Sequence, residues 1–118
     1  MIDHVGFEVD DLDRSAAFYD AVFFALGGRR TFDTEHAIAW GRNGPELWIT
    51  QRTKPAPGYG HLALKARGRR AVEAAHAAGL ANGGECAGPP GPRPQYGQRT
   101  YAAYLHDPDG LRVEVVSR

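Results

Sequence analysis

The feature that most restricts the fold of this 118-residue chain is an order of predicted elements that occurs twice. The first half opens on residues 2–9, IDHVGFEV, where side chains alternate as in a half-buried strand. Apolar residues at steps of three and four then predict a helix over residues 12–26, capped by Asp11 or Asp13. Three short strands follow, predicted at residues 29–33, 36–41 and 45–50.

The second half repeats this order after a linker that contains two prolines. The predicted elements are a strand at 61–66, a helix at 69–81, and strands at 84–87, 99–106 and 111–116. The loop after residue 87 is too rich in proline for regular structure, and the turn DPDG joins the last two strands. The pattern predicts an α+β chain of two βαβββ modules, residues 1–57 and 58–118, in a single domain over residues 1–118.

Composition excludes several classes of protein. Lys plus Arg and Asp plus Glu each total 14, so no basic excess favours nucleic acid or an acidic membrane. No apolar run approaches the roughly 20 residues that span a bilayer, and the N-terminus lacks the basic flank of a signal peptide. The lone cysteine, Cys86, excludes an intrachain disulfide and suits a reducing compartment. We therefore expect a cytoplasmic protein that binds neither nucleic acid nor membranes.

Each module opens with a histidine near the start of its first strand, His4 in DHVGFEV and His61 in GHLALKA. The alternation places both on the sheet face opposite the helices, and it gives Glu114, between two valines of the last strand, the same orientation. Two imidazoles and a carboxylate are a common ligand set for zinc or non-haem iron. The alternative is that each is an ordinary hydrogen-bonded or solvated residue of a strand.

Three segments resemble the glyoxalase, bleomycin-resistance and dioxygenase proteins, the vicinal oxygen chelate superfamily. They are DHVGFEVDDLDRSAAFYDAVFFALGGR, YGHLALKA and YLHDPDGLRVEVV, and the resemblance covers essentially the whole chain. It implies paired βαβββ modules that form a half-open barrel around one divalent metal ion, which is Fe, Mn, Zn or Ni. The family's ligand positions fall on His4, His61 and Glu114. Members are commonly homodimers, so the resemblance also implies a homodimer.

The position of a fourth ligand departs from glyoxalase I. Those enzymes carry a glutamate on the last strand of the first module, where this chain has Trp48. Glu46 lies two residues earlier with the same orientation and is a candidate catalytic residue. The remaining three-ligand set resembles extradiol dioxygenases and fosfomycin-modifying thiol transferases instead.

Several residues are candidates for the substrate pocket. Trp48 would form an apolar wall, and Tyr104 either offers its hydroxyl to the substrate as a catalytic group or packs as a simple aromatic. The loop 88–97, with Arg93, Gln95 and Tyr96, is either a lid or an ordinary surface loop. Arg112 and Lys65 share the orientation of the histidines and either meet an anionic substrate or are solvated. Cys86 has no visible neighbouring base and is interpreted as a small packing residue.

Two functions from different classes are compatible with this sequence. The first is a metal-dependent enzyme acting on a small oxygen-bearing substrate by dioxygenation, isomerisation, lyase chemistry or thiol transfer. The second is a metal-free protein of the bleomycin-resistance type that sequesters a drug in an aromatic groove, with four aromatic candidates: Trp40, Trp48, Tyr59 and Tyr104. Phe18 and Phe24 lie off the apolar stripe of the first helix and predict an exposed contact surface.

Overall fold

The computed structural model of the protein describes residues 2–53 and 61–118 and contains two helices and two four-stranded sheets. The elements of the first module are β1 Val5–Val9, α1 Leu12–Ala25, β2 Arg29–Asp33, β3 Ala37–Gly41 and β4 Leu47–Gln51. Those of the second are β5 His61–Lys65, α2 Arg69–Ala81, β6 Glu85–Pro92, β7 Tyr101–His106 and β8 Arg112–Ser117. The predicted α+β class and the two βαβββ modules are confirmed. The expected boundary at residues 57 and 58 lies outside the described residues, as does Tyr59.

The two sheets have the same topology, with strand orders β1-β4-β3-β2 and β5-β8-β7-β6. In each, the first strand pairs in parallel with the last strand of its own module, and the other pairings are antiparallel. The strands β1 and β5 are therefore edge strands of separate sheets. Among the residues that the structure describes, no helix is long and apolar enough to cross a membrane.

Both modules share one hydrophobic core, which the helices fill between the sheets. Val9, Val22 and Leu105 come from different modules, belong to the same cluster and are at most 2% exposed. Phe18 belongs to it as well, so the prediction that Phe18 is exposed is wrong. A Cβ built on Gly79 of α2 would lie 3.1 Å from the Phe18 ring, which shows how closely the two helices approach. Phe24 is 82% exposed, as expected.

The DPDG turn fastens the second module to the first helix. Asp109 accepts hydrogen bonds from the backbone N–H of Asp10, at 3.0 Å, and from the Ser15 hydroxyl, at 3.1 Å. Asp107 accepts one from the buried Tyr19 hydroxyl at 2.8 Å. These bonds fix how the modules sit relative to one another, because each joins the turn between β7 and β8 to α1 or to the residue that follows β1.

The segment after residue 87 differs from the prediction. It continues as the strand β6 through Pro92, with two irregularities in its register against β7. Proline has no N–H to donate, and it is tolerated here because β6 lies at the edge of its sheet. Residues 88–92 thus belong to the sheet and not to a loop, and a short 3₁₀ turn, Pro94–Tyr96, follows before β7.

Candidate metal centre and its surroundings

The second sheet brings His61 and Glu114 together on its outer face, meaning the face opposite the helices. β5 and β8 pair in parallel, with Ala63 opposite Glu114, while Val113 and Val115 point into the core and are fully buried. The orientation predicted for Glu114 from its flanking valines is therefore the one observed. His61 Nε2 lies 3.6 Å from Glu114 Oε2, and the two side chains are 53% and 13% exposed respectively.

This His61–Glu114 pair has the chemistry of a metal half-site. A separation of 3.6 Å is too long for a hydrogen bond, yet two ligands on one tetrahedral ion at about 2.1 Å each lie roughly 3.4 Å apart. Within the described residues, the Glu114 carboxylate accepts no hydrogen bond, and the Glu114 side chain is only 13% exposed. A shielded carboxylate normally has a cation or donors close by, so the pair fits a divalent ion.

His4 does not join this pair within the chain. It lies one residue before β1 and is solvent-exposed, and its Nδ1 lies 2.7 Å from Oδ1 of Asp3. Across residues 2–53 and 61–118, no three potential metal-ligating side chains form a cluster. The expectation that the repeat brings His4 and His61 together is thus not met inside one chain.

A cavity separates the first strands of the two modules. It has a volume of about 450 Å³, and its apolar lining includes Val5 and Leu47 from one module and Leu62 and Leu64 from the other. These four side chains point to the core side of their sheets, so the cavity lies behind the outer faces on which His4 and His61 sit. The two edge strands are therefore held apart rather than joined into one sheet.

Trp48 lies on the outer face of the first sheet, in register with Gly6. Its ring centroid is 4.9 Å from that of Phe32 and 6.4 Å from that of His4. Phe32 was not among the pocket residues predicted from the sequence. Its place in a predicted strand was visible, but its pairing with Trp48 depends on the bend in β2 between Arg30 and Phe32.

Glu46 has a different neighbour from the one its orientation suggested. Its Oε2 accepts a hydrogen bond from the backbone N–H of Arg42 at 2.9 Å and so braces the turn between β3 and β4. Both residues also line the cavity between the modules. A catalytic role for Glu46 stays a prediction, and it requires this carboxylate to leave the turn.

Tyr104 lies on the outer face of the second sheet, opposite Glu114 on β8, and is 9% exposed. Two guanidinium groups cover its ring, with Cζ of Arg112 at 4.4 Å and Cζ of Arg93 at 5.6 Å from the ring centroid. Tyr96, a further pocket candidate, is 62% exposed on the 3₁₀ turn. The arrangement of Arg93 and Arg112 about one ring was not predicted from the sequence.

The aromatic groove proposed for a drug-binding protein is smaller than expected. Trp40 is fully buried, packs against Tyr19 and Phe23, and donates its indole N–H to Asp20 at 2.8 Å. Trp40 is thus a core residue, with no exposed surface to offer a ligand. Trp48 and Tyr104 lie on the outer faces of different sheets.

Cys86 has a histidine neighbour that the sequence did not reveal. His76 Nε2 lies 3.3 Å from its Sγ. Burial lowers the pKa of His76 below 6.5, which favours the neutral imidazole. His76 is one of the four buried residues of α2, with Val72, Ala75 and Gly79.

Comparison with known proteins gives a consistent result. The family model of the Glyoxalase/Bleomycin resistance protein/Dioxygenase superfamily matches residues 1–115. A glyoxalase/bleomycin resistance protein from Albidiferax ferrireducens T118 is 34% identical and superposes with a TM-score of 0.87, covering 100% of this chain and 98% of that one. No curated protein matches the chain.

Two further structures extend the similarity. The fosfomycin resistance protein FosX from Mesorhizobium loti is 22% identical with a TM-score of 0.73, covering 100% of this chain and 92% of its own. A glyoxalase I mutant from Zea mays is 26% identical with a TM-score of 0.72, covering 97% of this chain and 45% of the maize chain. With its two βαβββ modules and a family match over nearly its full length, the chain belongs to the Glyoxalase/Bleomycin resistance protein/Dioxygenase superfamily.

Proposed function

We propose that this protein is a metal-dependent enzyme of its superfamily that acts on a small oxygen-bearing substrate. The observation that carries the proposal is the His61–Glu114 pair, in which a shielded carboxylate faces an imidazole nitrogen at 3.6 Å. A divalent ion would be held by His61 and Glu114 of one chain and by His4 of a second copy. The candidate reactions are ring-cleaving dioxygenation, isomerisation or elimination, and thiol transfer.

The geometry of the single chain supports a role for a second copy. His4 is exposed on the first module, and the structure of residues 2–53 and 61–118 brings no third ligand to the His61–Glu114 pair. In addition, β1 and β5 are edge strands, which readily meet the edge of another chain. A two-fold dimer that places the first module of each copy against the second module of the other would make two equivalent sites.

The residues around the pair suit this chemistry. A divalent ion supplies a Lewis acid that polarises a substrate oxygen and stabilises developing negative charge. Glu114 and His61 would hold it, and the low exposure of the Glu114 side chain would limit access of water there. Tyr104 of β7, which lies opposite Glu114 of β8, is the candidate for moving a proton at its hydroxyl oxygen. Trp48 and Phe32 would form the apolar wall beside His4.

A metal-free binding protein is the second candidate. The contact between Trp48 and Phe32 favours it, because exposed aromatic side chains bind planar ligands. Trp40 is buried, so one of the four aromatic residues that were candidates for the drug-binding groove is not available to a ligand. Quenching of tryptophan fluorescence by a planar cationic drug at low micromolar concentration, with no metal present, would support this second function.

Metal content tests the enzyme proposal directly. Protein purified without chelators should contain about one Fe, Mn, Zn or Ni ion per chain by elemental analysis. Adding the same ion to metal-free protein at 100 times its Kd should stabilise the fold by about 2.7 kcal/mol, a rise in Tm of roughly 10 °C. His61→Ala should abolish the rise, because it removes a ligand.

His36→Ala is the matched control, since His36 is also an exposed histidine and pairs only with Glu35 among the described residues. It should keep the full stabilisation. A protein that contains no metal and shows no rise in Tm with any of the four ions would contradict the proposal. So would a His61→Ala variant that retains wild-type metal affinity.

A further inference from the structure

We infer that the outer face of the second sheet carries a subsite for an anionic oxyacid group of the substrate, a carboxylate or a phosphonate, and that Arg112 contacts it. This inference rests on the proposed function, because it places the anion beside the metal ligands. It goes further in naming the chemical class of the substrate and the residue that selects it.

The position of Arg112 relative to the pair is set by backbone pairing. Arg112 stands two residues before Glu114 on β8, with its side chain on the same face. It is also the direct partner of His61 in the parallel pairing of β5 and β8. A group bound to Arg112 therefore lies next to both proposed ligands.

The guanidinium of Arg112 is oriented without an acidic partner. Its Cζ stacks 4.4 Å from the centroid of the Tyr104 ring. Stacking engages the flat face of a guanidinium and leaves its N–H groups free to donate in the plane. Within the described part of the chain, Arg112 forms no ion pair, whereas Arg30 pairs with Asp20 and Asp33. Arg112 is thus held in place and still exposed for an anion.

A second cation faces the same ring. Cζ of Arg93 lies 5.6 Å from the Tyr104 centroid, and its N–H groups donate to the carbonyl oxygens of Pro89, at 2.7 Å, and Pro92, at 3.2 Å. Those bonds fix the side chain without neutralising its charge. These two positive charges about one buried ring stand against the single carboxylate of Glu114, opposite Tyr104 on β8, so a net positive charge remains to attract an anion. The geometry therefore favours an anionic ligand over a neutral one.

The Tyr104 ring, which positions Arg112, can occupy its place only because Gly88 of β6 has no side chain. A Cβ at Gly88 would lie 2.8 Å from Cδ2 of Tyr104, a distance at which the ring must move. Gly88 is thus part of the support for the subsite, although it contacts no substrate. A Gly88→Ala change should weaken anion binding by displacing Tyr104 and with it Arg112.

Calorimetry with three matched probes tests the subsite. Benzoate and phenylphosphonate carry the two candidate anionic groups, and benzamide is a neutral compound of similar shape. Each is titrated into the metal-free protein and into protein loaded with Mn²⁺. We expect at least one anion to bind tenfold or more tightly than benzamide in both states, and the stronger of the two identifies the group.

Arg112→Met keeps the length of the side chain and removes its charge and planarity. It should weaken binding of the preferred anion at least tenfold while benzamide and Mn²⁺ affinities stay within twofold. Arg70→Met, which changes another exposed arginine, on α2, is the control and should change nothing. Equal affinity for anions and benzamide, or anion binding that survives Arg112→Met, would overturn the inference.

Failure of the enzyme proposal would give a different result from failure of the anion subsite. If Mn²⁺ and the other ions do not bind, the enzyme proposal fails, and the subsite is then decided on the metal-free protein alone. There, loss of anion binding on Arg112→Met upholds the subsite, and an unchanged Kd refutes it. Circular dichroism of each variant confirms that the fold is intact.

Discussion

Asp107 is a buried carboxyl group whose surroundings have opposing effects on its pKa. It accepts hydrogen bonds from the Tyr19 hydroxyl and from the backbone N–H groups of Asp109 and Leu111. Burial raises its pKa above 3.8, although these hydrogen bonds oppose the rise. Tyr19 is affected in turn, since burial and the neighbouring Asp107 carboxylate raise its pKa well above 10.0. The turn signal DPDG predicted the turn but gave no sign that this carboxyl joins the two modules.

We predict that Asp107→Asn changes how stability depends on pH. Since the folded protein binds this proton more tightly than the unfolded chain does, the contribution of Asp107 to the unfolding free energy decreases as the pH rises from below 3.8 to neutral. Asparagine keeps an oxygen for the two backbone donors and has no charge to bury. Relative to the wild type, the variant should therefore gain stability between pH 4 and pH 7, as measured by urea unfolding at both values.

Asp13→Asn provides the control for this experiment, because Asp13 is an exposed acidic residue in the first turn of α1. Its stability relative to the wild type should change much less over the same pH range. An Asp107→Asn variant whose stability runs parallel to that of the wild type from pH 4 to pH 7 would show that the folded and unfolded pKa values are equal.

At the scale of elements, the two helices pack through one close approach. A Cβ at Gly79 would lie 2.7 Å from Leu105 Cδ1 and 3.1 Å from the ring of Phe18. Phe18 falls off the apolar stripe that faces its own sheet, and it is buried because α2 of the other module covers it. An apolar stripe predicts only the face that a helix packs against its own sheet. The contact of α1 with α2 was therefore not predictable from periodicity.

Gly79→Ala should destabilise the protein in spite of the better helix propensity of alanine. The propensity gain is about 1 kcal/mol, and overpacking costs about 1–3 kcal/mol, so we expect a net loss of roughly 1 kcal/mol in the unfolding free energy. Gly44→Ala is the matched control, since a Cβ there meets nothing within 4 Å. Chemical unfolding that shows Gly79→Ala to be as stable as Gly44→Ala would mean that the helices are not packed this closely.

The remaining elements show which sequence signals are sufficient to predict where a helix or strand begins and ends. α2 spans Arg69–Ala81 as predicted, because alanine-rich periodicity and the glycine that ends the helix act locally. β6 runs five residues beyond its prediction, to Pro92. Its prolines argue against a central strand, and only the sheet order reveals that this strand lies at an edge.

For the whole molecule, the sequence predicts the ligand candidates better than it predicts their distances. The repeat and the alternation identify His61 and Glu114 as neighbours on one face, because both belong to paired strands of one module. The distance from His4 to that pair depends on how the modules pack, which is set by Phe18, Gly79 and the DPDG turn. None of these contacts has a periodic signature, so the separation of His4 from this pair within one chain emerges only from the structure.

Mixing two inactive variants tests a site shared between copies. His4→Ala and His61→Ala should each bind no metal, because each lacks a ligand in both sites of the dimer. When the two are unfolded, mixed in equal amounts and refolded, half of the dimers should be mixed pairs. Each mixed dimer has one intact site, with His4 from one chain and His61 and Glu114 from the other.

Elemental analysis should then find about one quarter of the wild-type metal, and native mass spectrometry should place it on the mixed dimers only. Metal on either homodimer would mean that the altered histidine is not a required ligand, and a mixture that binds none would mean that the site does not form between chains.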